Sequence, residues 1–188
     1  MVRCAIALFL VACAGEQAFE VNNPIPRDTS TEPEELPPLT ELCINEFMAD
    51  NASSWLDDQG VASDWVELHN PTAESVSLYG YFLSNDADDP FTHRLDDDLW
   101  MEPGEYLVFS ADGQPELGPL HLSFRLSSLG ESLGLFRYDG AGEILHYGIV
   151  EQDVAWSRSP DCCPDAATCM FQAFAGSPGA SNPEAWQP

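Results

Sequence analysis

The chain has 188 residues and a mass of 20.6 kDa, with 32 acidic residues against six basic ones, all arginine, for a formal net charge of −26. That balance excludes a phosphate-reading nucleic-acid binder, which needs a basic stripe to displace counterions, and a polybasic grip on anionic lipid. A hydrophobic share of 44% with 11% aromatics still supports a packed core, so the chain is no disordered acid and holds one domain with some length to spare.

Met1-Val2-Arg3 supplies a minimal positive start, and Cys4 to Ala12 is apolar throughout. Nine apolar residues are too few to cross a bilayer as a helix. Leu10-Val11-Ala12-Cys13 resembles a bacterial lipobox, so residues 1–12 are expected to be a signal peptide and Cys13 the lipidated first residue of the mature chain. The rival reading is plain secretion, with Ala12-Cys13-Ala14 as the cleavage site. By the same resemblance, Ala14 after the lipidated Cys implies sorting to the outer membrane. Residues 13–41 read as a tether: from 14 to 41 there are five Pro, seven acids and a single Arg, a composition that stays extended and solvated.

From residue 42 the pattern changes to short apolar alternations. Cys43-Ile44-Asn45-Glu46-Phe47-Met48 is a predicted strand, followed by an acidic loop over 50–63. Strands are expected over 64–70, 75–78, 81–84, 91–95 and 106–109, the last entered through a Glu102-Pro103-Gly104 turn. A short strand is expected over 120–124. Segments 132–138 and 143–149 flank Asp139-Gly140-Ala141-Gly142, a hairpin signal. No segment carries a helical stripe longer than two turns, so the fold class is all-β, a sandwich or barrel. Two loops offer oxygen ligands for a hard cation: Asp57 and Asp58, with Asp50 and Gly60, in the first, and Asp86 and Asp88, with Asp89, in the second. Neither has EF-hand spacing, and the alternative is solvated acid. Asp96-Asp97-Asp98 reads as an exposed turn.

Besides Cys4 and Cys13, four cysteines remain: Cys43, Cys162, Cys163 and Cys169. In an exported chain an even set reads as two disulfides. A bond between adjacent Cys162 and Cys163 would force a strained ring, so Cys43 is expected to pair with one of them and Cys169 with the other. Zinc is disfavoured, because Cys-Cys-x5-Cys fits no common zinc ribbon.

Several segments in order resemble the bacterial lamin tail domain: Ile44–Met48, Asp64–Pro71, Leu78–Ser84, Met101–Val108, Phe124–Glu131, Trp156–Asp161 and Ser177–Asn182. The resemblance covers about residues 42–182, with the cysteine-containing insert at 162–169 outside its pattern and 183–188 as a tail. It implies an immunoglobulin-like β-sandwich without catalytic activity of its own. Glu46, Asp64 and Glu67 could be read as a glycosidase-type carboxylate set; the favoured alternative is that Asp64 and Glu67 bond backbone and loop groups at the end of a strand, since the family motif accounts for these acids without catalysis. No G-x-S-x-G elbow is present, and His69, His93, His121 and His146 fall on separate segments with no expected common metal. The expectation is a non-enzymatic, lipid-anchored or secreted envelope module for a protein or glycan partner, without nucleic acid and without a cofactor. The alternative is a Ca²⁺-dependent envelope binding module.

Overall fold

The computed structural model describes residues 39–184. The expected signal peptide, the lipidation site Cys13 and the tether up to residue 38 lie outside the described residues. Eleven strands follow: β1 (Cys43–Met48), β2 (Trp65–His69), β3 (Val76–Ser77), β4 (Tyr81–Ser84), β5 (His93–Arg94), β6 (Trp100–Met101), β7 (Tyr106–Ser110), β8 (Glu131–Arg137), β9 (Gly142–Tyr147), β10 (Val154–Arg158) and β11 (Met170–Phe174). One sheet has the order β11-β10-β1-β2-β7, the second β5-β4-β8-β9, and β3 pairs with β6 at the side. Every ladder is antiparallel. This is an all-β sandwich, as the alternating pattern predicts, in the immunoglobulin-like form that the lamin-tail resemblance implies. The only α-helix among the described residues is the single turn Ala166–Cys169, and none is long and apolar enough to cross a membrane.

The core lies between the two larger sheets. Ile44 and Phe47 of β1, Val66 and Leu68 of β2 and Phe109 of β7 meet Leu83 of β4 and Leu133 and Leu135 of β8, all buried. Phe47 packs against Tyr147 of β9, ring centroids 4.7 Å apart and tilted by 48°, which ties the sheets together. Side chains alternate across a strand, so the neighbours of these core residues face the other way. There Met48, Trp65 and Ala155 form a second buried cluster, with Trp55 and Val108 against it. The central strands β1 and β2 are therefore buried on both faces along their whole length.

The expected hairpin forms as β8 and β9, with Arg137 N–H donating to Ala141 O across the turn. The expected strand over 120–124 does not: His121 makes one isolated bridge to Ser110, and the side chains of Leu122 and Phe124 go into the core without a ladder. Alternation there reports burial of every second residue, which a loop laid along a sheet edge also produces. The segments over 75–78 and 91–95 shorten to two-residue strands. Strands β10 and β11 were not expected as strands, although β10 pairs directly with β1. Contacts begin before residue 42: Leu39 rests on the core and Glu41 pairs with Arg137.

The disulfides are Cys43–Cys162, across 119 residues, and Cys163–Cys169. This is one of the two arrangements the spacing left open, and it leaves none of these four thiols for zinc.

Candidate functional site

The two acidic loops have different fates. In the first, Asp57 folds its own turn: its Oδ1 accepts the N–H groups of Gln59 and Val61, and its Oδ2 accepts Ser63 Oγ at 3.3 Å. Asp58 is exposed and reaches His121, whose Nε2 lies 3.0 Å from Asp58 Oδ1. The other ring nitrogen, Nδ1, lies 2.8 Å from Asp112 Oδ2. His121 is only 1% exposed. Burial pulls its pKa down, but the hydrogen bonds to Asp112 and Asp58 outweigh that and leave it raised.

One donor atom each from Asp57, Asp112 and His121 lie within 4.8 Å of one another, the only such grouping among the described residues. Two carboxylate oxygens and an imidazole nitrogen form a donor set for a borderline ion such as Zn²⁺ or Mn²⁺ better than for Ca²⁺, which takes six to eight oxygens. The sequence pointed to Asp57 and Asp58 but missed Asp112 and His121. They come from a different loop, 63 residues on from Asp58 in the case of His121, and no spacing rule reaches that far.

Asp86 and Asp88 are not part of this grouping. Asp86 Oδ1 accepts Asp88 N–H, and Ser84 Oγ donates to Asp86 O and Asp89 O, so the second loop is a self-bonded turn. His69 stacks on Tyr106 at 4.0 Å, His93 Nδ1 accepts from Ser123 N–H, and His146 lies on the far strand β9.

Glu46 and Glu67 stand opposite each other on β1 and β2, fully buried, on the face that also carries Met48 and Trp65. Glu46 accepts from Ser157 Oγ and from Ser177 N–H at 2.8 Å. Glu67 accepts from Asn45 Nδ2 at 3.1 Å and from Gly179 N–H at 2.7 Å. Burial raises both, Glu67 to about 8. The donors on the segment 177–182 make it a cover laid over the sheet. Asn182 Nδ2 donates to the carbonyls of Asn45 and Arg158, and Asp161 accepts from Tyr106 OH, Ser181 Oγ and Asn182 N–H. Gly176 lets the cover approach, since a Cβ there would lie 3.0–3.1 Å from Ala155, Glu46 and Trp65, at φ +63°. Carboxylates bonded in this way to their own backbone are closed to a substrate. They bond backbone N–H groups and neighbouring side chains, but from mid-strand positions, Glu46 within β1 and Glu67 at the centre of β2, not from a strand end.

Asp64, the third acid of that set, is apart from them. Its Oδ1 accepts Asn51 N–H at 3.0 Å, and burial raises it to about 6. It lines a polar cleft of about 270 Å³ with Asn51, Ser63, Asp112, Gln114 and Arg125. An apolar groove of about 360 Å³ opens elsewhere, between β9 and β10, over Phe47, Tyr147, Trp156 and Met170.

Residues 37–148 match the family model described as Lamin Tail Domain. No curated protein and no solved structure matches the chain. The match stops before β10, β11 and the cover over Glu46 and Glu67, which nevertheless complete the sheet through the β1–β10 ladder.

Proposed function

Because this chain belongs to the lamin tail domain family, whose immunoglobulin-like sandwich is typically non-catalytic, we propose that it is an exported, non-enzymatic binding module of a bacterial cell envelope. Cys13 carries a lipid, the segment up to 41 spaces the domain from an outer membrane, and the sandwich meets a protein or glycan partner. One observation supports the non-catalytic reading most: Glu46 and Glu67, the best-placed carboxylate pair, are fully buried and bonded to the backbone amides of Ser177 and Gly179. The pairing of Cys43, Cys162, Cys163 and Cys169 agrees with an oxidising compartment. The test is Cys13→Ser in the full chain. The variant is expected to leave the membrane fraction for the soluble one. A variant that stays membrane-bound would contradict lipid anchoring.

The divalent-ion reading stands second, on the grouping of Asp57, Asp112 and His121. Ca²⁺ was the ion expected from the loops, and the imidazole shifts the preference to Zn²⁺ or Mn²⁺. Calorimetry with each metal ion tests it. Heat and a raised melting temperature with Zn²⁺, both lost in His121→Asn, support it, and their absence with all three ions removes it.

A further inference from the structure

The domain is so acidic that its few cations have carboxylates to choose from, and three of the four described arginines take one. Arg94 bonds Asp97, Arg137 bonds Glu41 and Asp139, and Arg158 bonds Glu143. Arg125 does not. Its Nε donates to the backbone carbonyl of Asp112 at 2.8 Å, and its two Nη groups have no partner among the described residues. That single bond aims the guanidinium and leaves its outer fork open.

Arg125 lines the same cleft as Asp64, yet the two form no ion pair. Asp64 uses one oxygen on Asn51 N–H, and its other oxygen has no hydrogen bond among the described residues. Gln114 donates Nε2 to Asp112 Oδ2 at 3.3 Å, and its carbonyl oxygen has no hydrogen bond among the described residues. The cleft therefore presents an unused double donor and unused acceptors, held apart on a firm frame. Asn51 supplies the frame: its Nδ2 donates to Trp55 O and Ser63 O at 2.7 Å each, and its Oδ1 accepts from Ser54. Little ordering is left for a ligand to impose.

We propose that this cleft binds a neutral saccharide, with neighbouring ring hydroxyls accepting from the Arg125 Nη groups and donating to the free oxygen of Asp64. A hydroxyl is both donor and acceptor, so a vicinal pair bridges a guanidinium and a carboxylate that do not reach each other. A ligand carboxylate would satisfy Arg125 but would meet Asp64, Asp112 and the field of a chain at −26. A ligand ammonium would suit the carboxylates but meet Arg125. About 270 Å³ suits a single sugar unit of a chain, not a folded partner. This inference rests on the reading of the domain as a binding module and names the ligand class.

The experiment is a titration of the full ¹⁵N-labelled chain with maltose, cellobiose, mannobiose and glucuronate, followed by NMR. At least one neutral disaccharide is expected to move the side-chain signals of Asn51, Gln114 and the Arg125 Nε–H. Arg125→Gln, at an exposed position, is expected to weaken that disaccharide about tenfold or more, the loss of a charge-assisted pair of bonds. Asp64→Asn is expected to weaken it too, with its melting temperature recorded to show that it folds, and Arg94→Gln is expected to leave binding unchanged. The proposal is overturned if no disaccharide moves those signals, if Arg125→Gln binds as well as the unaltered chain, or if glucuronate alone binds. Shifts confined to another face would overturn the cleft while leaving the domain a saccharide binder.

Discussion

Glu46 and Glu67 occupy facing positions on β1 and β2, and each accepts a backbone N–H from the same short segment, Ser177 for one and Gly179 for the other. Two carboxylates side by side out of water repel, and burial penalises their charged forms. The cover offsets part of that penalty with directed N–H groups and shields the pair from solvent. The segment beyond the matched family region is thus what closes the sandwich over its own acids.

Stability should peak in mild acid. Glu67 has an ordinary pKa of 4.5 and is pushed up to about 8 in the fold, and Glu46 is raised as well. Between those values the unfolded chain has lost a proton that the fold keeps, so stability falls as pH rises from about 4.5 to about 8. Asp64, raised to about 6, adds the same sign over its own window. His121 does too, because a raised imidazole stabilises below its ordinary 6.5 and loses that as pH climbs through the folded value. Asp161 opposes them. Its burial is outweighed by bonds from Ser181, Tyr106, Asn182 and Asn45, which lower it, so its contribution is lost only as pH falls below 3.8. Thermal melts at pH 5 and pH 8.5 should differ by more than about 5 °C, higher at pH 5. Equal or inverted values would contradict a Glu67 that keeps its proton in the fold.

Glu67→Gln should flatten that profile. The amide cannot ionise, so the difference between pH 5 and pH 8.5 shrinks. At pH 5 the variant is less stable by about 1–3 kcal/mol, because one end of the amide turns an N–H₂ towards a donor, Gly179 N–H or Asn45 Nδ2. Denaturant melts at both pH values measure the two effects separately.

The two disulfides should contribute unequally. Cys43–Cys162 closes a loop of 119 residues and Cys163–Cys169 one of six. Loop-closure entropy gives about 5 kcal/mol for the first and about 2 kcal/mol for the second. The pair Cys43→Ser with Cys162→Ser should therefore lower the denaturant midpoint more than Cys163→Ser with Cys169→Ser. The reverse order would show that the loops are not what the bridges constrain.

Gly130→Ala should destabilise the turn into β8 without touching the cleft. Gly130 has φ +99°, and a Cβ there would lie 2.6 Å from Tyr147 O and 2.8 Å from Gly148 Cα. Both objects are backbone, so the turn itself must move. A loss of about 1–3 kcal/mol is expected, read from the melting temperature, with saccharide shifts unchanged.

Period-two alternation is local, so β1, β2, β4 and the β8–β9 hairpin were legible in the sequence; excluding a bond between the adjacent cysteines tied Cys43 to Cys162 or Cys163, and only the fold decides for Cys162. Alternation failed at Leu122 and Phe124, where a loop buries alternate side chains without a ladder. It also gave no sign of β10, where Ser157 and Arg158 are polar yet buried. They are buried because Glu46 and Glu143 wait for them across the fold. The site was half legible for the same reason. Asp57 and Asp58 stood out as a local acidic run, but Asp112, His121 and Arg125 acquire meaning only when β7 and the loops after it bring them to the 50–63 loop. An arginine whose charge acts on Asp64 without a salt bridge to it is a relation in space, invisible in a count of charges.

The most direct test of the account is the intact mass of the native protein, taken without reduction. The account predicts a chain that begins at Cys13, carries the added mass of a lipid, and is lighter by four hydrogens than the reduced form of Cys43, Cys162, Cys163 and Cys169. A chain that still carries residues 1–12, with those four thiols free, would contradict it.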